Sequence, residues 1–183
     1  MQFAQSYLTK LKTLLDSVPL EKVERIRKLF QDARDRDRMI FIVGNGGSAA
    51  TSSHFAVDLG KGASVGKPKR FRILSLTDNL PWITALANDF AYDRVFEDQL
   101  RNYAQPGDLL LAISASGNSP NIVRAVSAAK ELGVTTVGWS GFGGGKIAGM
   151  ADHSIVVDDN HYGRVEDVHS IMMHLICYSF MEA

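Results

Sequence analysis

Met39-Ile40-Phe41-Ile42-Val43-Gly44-Asn45-Gly46-Gly47-Ser48-Ala49 decides the fold of this chain. Five apolar side chains in a row suit a strand buried on both faces, the environment of an interior strand in a parallel sheet. The glycines that follow permit positive φ and close backbone approach. Ser48 is placed to cap the helix that begins there. Strand, glycine turn and helix in that order form the unit of a parallel α/β sheet.

Working outward, the unit recurs. Short apolar runs occupy 71–76, 109–113, 134–139 and 154–157. Helical periodicity separates them at 48–60, at 79–103 in two pieces, at 119–132 and near 145–150, and a long helix over 162–181 follows. Upstream, Phe3, Tyr7, Leu8, Leu11, Leu14, Leu15 and Val18 recur at helical steps. Val23, Ile26, Leu29 and Phe30 continue in a second helix, with Pro19 in its first turn. Asp32 to Arg38 alternates acid and base, as a solvated helix end and turn does. The expected fold is a three-layer α/β/α sandwich on a five-stranded parallel sheet, flavodoxin- or Rossmann-like. One domain spans 1–183, with two N-terminal helices over 1–37 and a long C-terminal helix.

Composition narrows the function. The chain has 183 residues, 20 basic and 20 acidic side chains and one cysteine. Zero net charge argues against a chain that wraps nucleic acid. One cysteine excludes an internal disulfide and a zinc site of several thiolates. No stretch approaches the roughly 18 apolar residues of a membrane span. The opening Met1-Gln2-Phe3-Ala4-Gln5-Ser6 lacks a basic leader followed by an apolar core. A reducing cytoplasmic location, without membrane, is expected.

In such sheets ligands gather beyond the carboxyl ends of the strands. Two loops there are unusual. The first, Gly44 to Ala49, also fits the dinucleotide pattern G-x-G-x-x-A. That reading, which implies a nicotinamide-dependent oxidoreductase, needs an acidic residue about 20 positions on. The nearest, Asp78, is 32 positions beyond Gly46. The second loop is Ser114-Ala115-Ser116-Gly117-Asn118-Ser119-Pro120-Asn121. Its hydroxyls, its backbone N–H groups and the helix dipole can hold a phosphate without a lysine. Capping alone needs one hydroxyl rather than three. A Walker loop is excluded, since no Gly-Lys-Ser/Thr follows. Gly141-Phe142-Gly143-Gly144-Gly145 reads as a flexible turn.

His54 and Asp58 are four apart and share a helix face, a spacing that suits two metal ligands or a base with its partner. The last helix carries Glu166, His169 and His174. Its buried stripe is expected at Val165, Val168, Met172 and Leu175, with Glu166, Ser170, Met173, His174 and Cys177 on an adjoining face. Taken singly, either helix suits a hydrogen-bonded structural histidine. If the helices meet, four of these ionisable groups complete a zinc site. Cys177 sits in an apolar context and reads as core.

Together these motifs resemble the sugar isomerase (SIS) domain and, within it, the phosphoheptose isomerase family. The resemblance rests on Gly44 to Ser48, His54-Phe55-Ala56, Ala87-Asn88-Asp89-Phe90, Ser114 to Ser119 and Arg164 to His174, in that order along nearly the whole chain. It implies aldose–ketose isomerisation of a seven-carbon sugar phosphate through an enediol or enediolate. It places the phosphate on Ser114, Ala115, Ser116 and Ser119, and the sugar beside Asn45, Gly46, Gly47, Asn88, Asp89 and Glu166. It implies zinc or another divalent metal on His54, Asp58, Glu166 and His174, with the carboxylate and the last histidine as base and acid. It also implies a homotetramer with sites between subunits, assembled in part through residues 1–37. Three departures follow: Asp58 replaces the family's glutamate, Glu166 its glutamine and Ala115 a common threonine. Glu166 is therefore expected to share or take over the base role, with Asp58 and His174 as the other catalytic candidates. The rival from another class is a non-catalytic SIS adaptor that binds a phosphosugar.

Overall fold

The computed structural model describes residues 1–182, so Ala183, the last residue of the expected domain, lies outside the described residues. Five strands, β1 (Met39–Val43), β2 (Arg72–Ser75), β3 (Leu109–Ser114), β4 (Thr135–Ser140) and β5 (His153–Val156), form one sheet in the order β2-β1-β3-β4-β5. Every neighbouring pair is parallel, as the apolar runs predict. In the interior Ile40 sits beside Ile73 on one side and Leu109 on the other. The chain leaves β1 for the edge strand β2, then crosses back to β3. The order therefore reverses between β1 and β3, and their two loops diverge there to leave a crevice.

The helices are α1 (Gln2–Asp16), α2 (Leu20–Asp35), α3 (Gly47–Val57), α4 (Leu80–Asp89), α5 (Glu97–Tyr103), α6 (Pro120–Glu131), α7 (Gly145–Met150) and α8 (Tyr162–Met181). Alternation along the strands sorts them into layers. Ile40, Ile42, Leu109, Leu111 and Ile113 pack with α2, α3 and α8, while Phe41, Val43, Leu110 and Ala112 pack with α4 to α7. Within the first layer Phe55 stacks between Phe30 and Trp139, with ring centroids 5.2 and 5.9 Å away. That stack fixes α3 between α2 and the sheet. Burying one such aromatic side chain contributes about 2–3 kcal/mol.

Local expectations are corrected at four places. Pro19 precedes α2 instead of opening it. Ser48 lies inside the first turn of α3, whose cap position is Gly46 with φ 54°, and makes no capping bond. The helix from 48 to 60 passes at Asp58–Gly62 into a π turn. Val165, Val168 and Met172 are buried as expected, but Leu175 is 46% exposed, and His169, Met173, Ile176 and Cys177 complete the buried face of α8. The cause is packing on three sides, by the sheet, α2 and α3, which broadens the buried arc at helical spacing. Cys177 is buried as expected, and burial pushes its thiol far up. The α2 helix buries Val23, Ile26, Phe30 and Ala33, whereas α1 leaves Phe3 and Leu8 exposed. Among the described residues no helix is long and apolar enough to cross a membrane.

Candidate active site

The loops after β1 and β3 enclose a cavity of about 120 Å³ at the reversal point. Ser114, Ala115, Ser116 and Ser119 form one wall; Asn45 and Ser48 form another; Glu166 and Tyr162 come from α8. Ser119 occupies the cap position of α6 but makes no capping bond. Its hydroxyl lies 3.4 Å from that of Ser114. Ser116 Oγ accepts the N–H of Asn118 at 3.3 Å, which leaves its own hydrogen free to donate. Three hydroxyls and the positive end of α6 thus converge on one small polar space, the arrangement that binds an oxyanion.

The glycine loop is tied to this wall by a reciprocal amide pair. Asn45 Nδ2 donates to Asn121 Oδ1 at 2.9 Å, and Asn121 Nδ2 donates back to Asn45 Oδ1 at 2.8 Å. Tyr92 donates its hydroxyl to the same Asn45 oxygen at 3.1 Å. Asn88 and Asp89 lie at the exposed end of α4, bonded to each other at 2.9 Å, and stand outside the cavity wall. The turn that follows them reaches the glycine loop through Tyr92. Asp78 accepts hydrogen bonds from Ser53 and Thr77, two groups of the protein itself.

Next to the cavity, α3 and α8 run side by side in register. Gly47 faces Glu166, Thr51 Oγ1 lies 3.5 Å from Ser170 Oγ, and the rings of His54 and His174 stand 5.1 Å apart at 78°. The Glu166 carboxylate fills the space a side chain at Gly47 would take. A Cβ on Gly47 would lie 2.5 Å from Glu166 Oε2. At the far end Asp58 Oδ2 is 3.4 Å from His54 Nε2 and 3.9 Å from His174 Nε2. One ligand atom from each of the three residues lies within 4.8 Å of the others.

Two imidazoles and a carboxylate match the donor set of catalytic zinc, whose tetrahedral ligands stand roughly 3.3 Å apart. The residues present therefore fit a divalent metal. Glu166, the fourth expected ligand, stands apart from these three within the chain. It lies eight residues before His174, a rise of roughly 12 Å along the helix, and its carboxylate is turned toward Gly47 and the serine cavity.

The start of α8 is pinned from two sides. Arg164 holds Asp159 through Nη2–Oδ1 at 2.9 Å as part of a two-pronged pair, and the guanidinium keeps that carboxyl below the usual range. Tyr7 donates to Asp167 at 2.6 Å, which raises its phenol to about 12 and anchors α1. His169 does not join the ionisable cluster. It is buried against Trp139, with Nε2 3.4 Å from the Ser140 carbonyl and Nδ1 without a partner. Burial lowers its basicity to about 4. Asn121, Tyr92 and Tyr162 are site residues that sequence reasoning missed. Asn121 closes the quoted serine loop and Tyr162 lies four residues before Glu166 on the same helix face, whereas no periodicity or spacing signal marks Tyr92.

Comparison with known proteins accounts for this combination. A family model described as the SIS domain matches residues 5–141. The chain belongs to the SIS domain family. Within it, the chain is 42% identical to phosphoheptose isomerase of Nitratidesulfovibrio vulgaris, strain Miyazaki F, over 78% of this chain and 68% of that one. It is 35% identical to phosphoheptose isomerase of Syntrophotalea carbinolica, over 94% and 89%. Among solved structures, phosphoheptose isomerase from Neisseria gonorrhoeae superposes with a TM-score of 0.88 at 31% identity, covering 100% of this chain and 96% of that one. On these likenesses the chain is an isomerase of the phosphoheptose isomerase group.

Proposed function

We propose that this protein interconverts sedoheptulose 7-phosphate and an aldose 7-phosphate of the same length. The observation that carries the reading is the packed α3–α8 pair. It bears a hydroxyl-lined anion cavity beside one end and a cluster of two histidines and a carboxylate at the other. Between the two ends the helices rise roughly 10–12 Å. An extended seven-carbon chain with a terminal phosphate covers that span, and a triose phosphate does not.

In this reading Ser114, Ser116, Ser119 and the start of α6 hold the phosphate, whose binding positions carbons remote from it. Glu166, Asn45 and the backbone at Gly46 and Gly47 border the middle of the sugar, with Asn88 and Asp89 at its outer rim. The carbonyl end reaches His54, Asp58 and His174. Asp58 presents Oδ2 to both histidines, which leaves Oδ1 to take the proton beside the carbonyl and return it to the neighbouring carbon. That geometry favours Asp58 as the base over Glu166, which stands beside the phosphate end. His54, Asp58 and His174 would hold a divalent metal, zinc being the ion this donor set suits, and with it bound the two imidazoles are neutral ligands. When bound, the metal supplies electrostatic stabilisation of the oxygen that becomes negative. Without it, a protonated His174 can donate to the same oxygen.

A homotetramer fits the exposed Val57, Leu175 and Tyr178 beside the cluster and Phe3 and Leu8 on α1. A single buried cysteine fits a reducing cytoplasm. The test is to incubate zinc-replete protein with sedoheptulose 7-phosphate and follow the aldose phosphate. Turnover supports the reading; no turnover with and without added metal rejects it.

A further inference from the structure

The segment Gly141–Lys146 is no flexible turn. Gly141 donates its N–H to the Ala115 carbonyl at 2.8 Å, and Ile147 donates to the Gly117 carbonyl at 3.1 Å. The two loops are also interlocked without side chains between them. A Cβ on Gly117, where φ is +63°, would lie 2.1 Å from the Gly144 carbonyl oxygen. One on Gly145, where φ is +56°, would lie 2.4 Å from that of Ser116. Only glycine permits both the positive φ and the approach.

One side chain spans the junction. Asn118 Nδ2 donates to the Ser116 carbonyl at 3.1 Å, and its Oδ1 accepts the backbone N–H of Lys146 at 3.1 Å. Its own N–H donates to Ser116 Oγ. Asn118 is exposed and does not line the cavity. Its bonds nonetheless set where the Ser116 hydroxyl and carbonyl lie.

We propose that Asn118, held by the Lys146 N–H, is a positioning residue that presets the serine loop for the phosphate of the substrate. The glycine segment is the rigid brace behind that loop. Preorganised donors stabilise a charged group without reorganisation when it binds. The inference rests on the function proposed above.

The test compares Asn118→Ala and Lys146→Pro, which remove opposite halves of one hydrogen bond. Proline is tolerated in the first turn of a helix, where Lys146 stands. Lys146→Ala keeps the N–H and serves as control. Both loop variants should raise KM for sedoheptulose 7-phosphate and the Kd for inorganic phosphate by about tenfold, the effect of one or two ordinary hydrogen bonds. Their kcat should stay within about twofold and their melting temperature near the wild type, a split that general loosening of the fold does not give. Should Asn118→Ala fold poorly, Lys146→Pro reads the same bond. If wild type binds phosphate and both variants bind it equally, the positioning role is overturned while the proposed function stands. If wild type neither binds phosphate nor turns over the sugar, the proposed function fails and takes the positioning role with it.

Discussion

The Glu166 carboxylate lies over Gly47 so closely that a β-carbon there would sit 2.5 Å from Oε2 and 2.7 Å from Oε1. Gly47 opens α3 at the end where the helix dipole is positive, a favourable place for a carboxylate. Glycine at this position thus serves a side chain on another helix as well as the turn it follows.

Replacing Gly47 by alanine should separate folding from function. The group displaced is the far end of a flexible side chain, and alanine is the better helix former by about 0.5–1 kcal/mol. Melting temperature should hold or rise, while KM for the sugar phosphate rises by about tenfold, one polar contact being worth roughly 1 kcal/mol. A drop in melting temperature with unchanged KM contradicts this placement of Glu166.

Stability should fall on acidification because of His169. The imidazole is buried and neutral, with basicity lowered to about 4 by desolvation, against a small opposing effect of the Ser140 carbonyl. Between pH 6.5 and 4 the unfolded chain binds a proton there that the folded chain does not, so stability declines as pH falls through that window and levels below it. The full loss is about 3 kcal/mol at most. Urea unfolding of wild type and His169→Phe between pH 4 and 7.5 should show a shallower slope for the variant; identical slopes exclude His169 as the source.

Metal should stabilise the protein as well as activate it. An ion bound only by the folded state at about 100 times its Kd adds roughly 2.7 kcal/mol. Chelation should lower the melting temperature, zinc should restore it, and His54→Ala should abolish the response. A wild type whose melting temperature ignores both treatments lacks the expected site.

The strands and helices were legible because an interior parallel strand has to be apolar on both faces and its covering helices on one. The β1 and β3 loops were legible for a related reason: a turn that approaches a ligand needs Gly46, and three serines exceed what a cap requires. Leu175 misled because a helix packed on several sides buries a wider arc than one stripe, and the arc of α8 widens toward Met173, Ile176 and Cys177 and away from Leu175. The position of Glu166 could not be read, since i and i+8 share a face while the reach of each side chain depends on its neighbour, here Gly47. Tyr92 enters the site from a segment distant in sequence, and nothing local to it records that meeting, whereas Tyr162 stands one turn before Glu166 on the same helix.

Proton transfer at Asp58 is tested by comparing Asp58→Asn with Glu166→Gln in turnover of sedoheptulose 7-phosphate with zinc present. Loss of a general base typically costs about 10²–10⁴ in rate. Asp58→Asn should lose kcat on that scale, and Glu166→Gln should keep kcat within about tenfold of wild type, a few polar contacts being all it gives up. The reverse pattern, with Glu166→Gln inactive and Asp58→Asn active, contradicts the assignment of proton transfer to the His54–Asp58–His174 end of the α3–α8 pair.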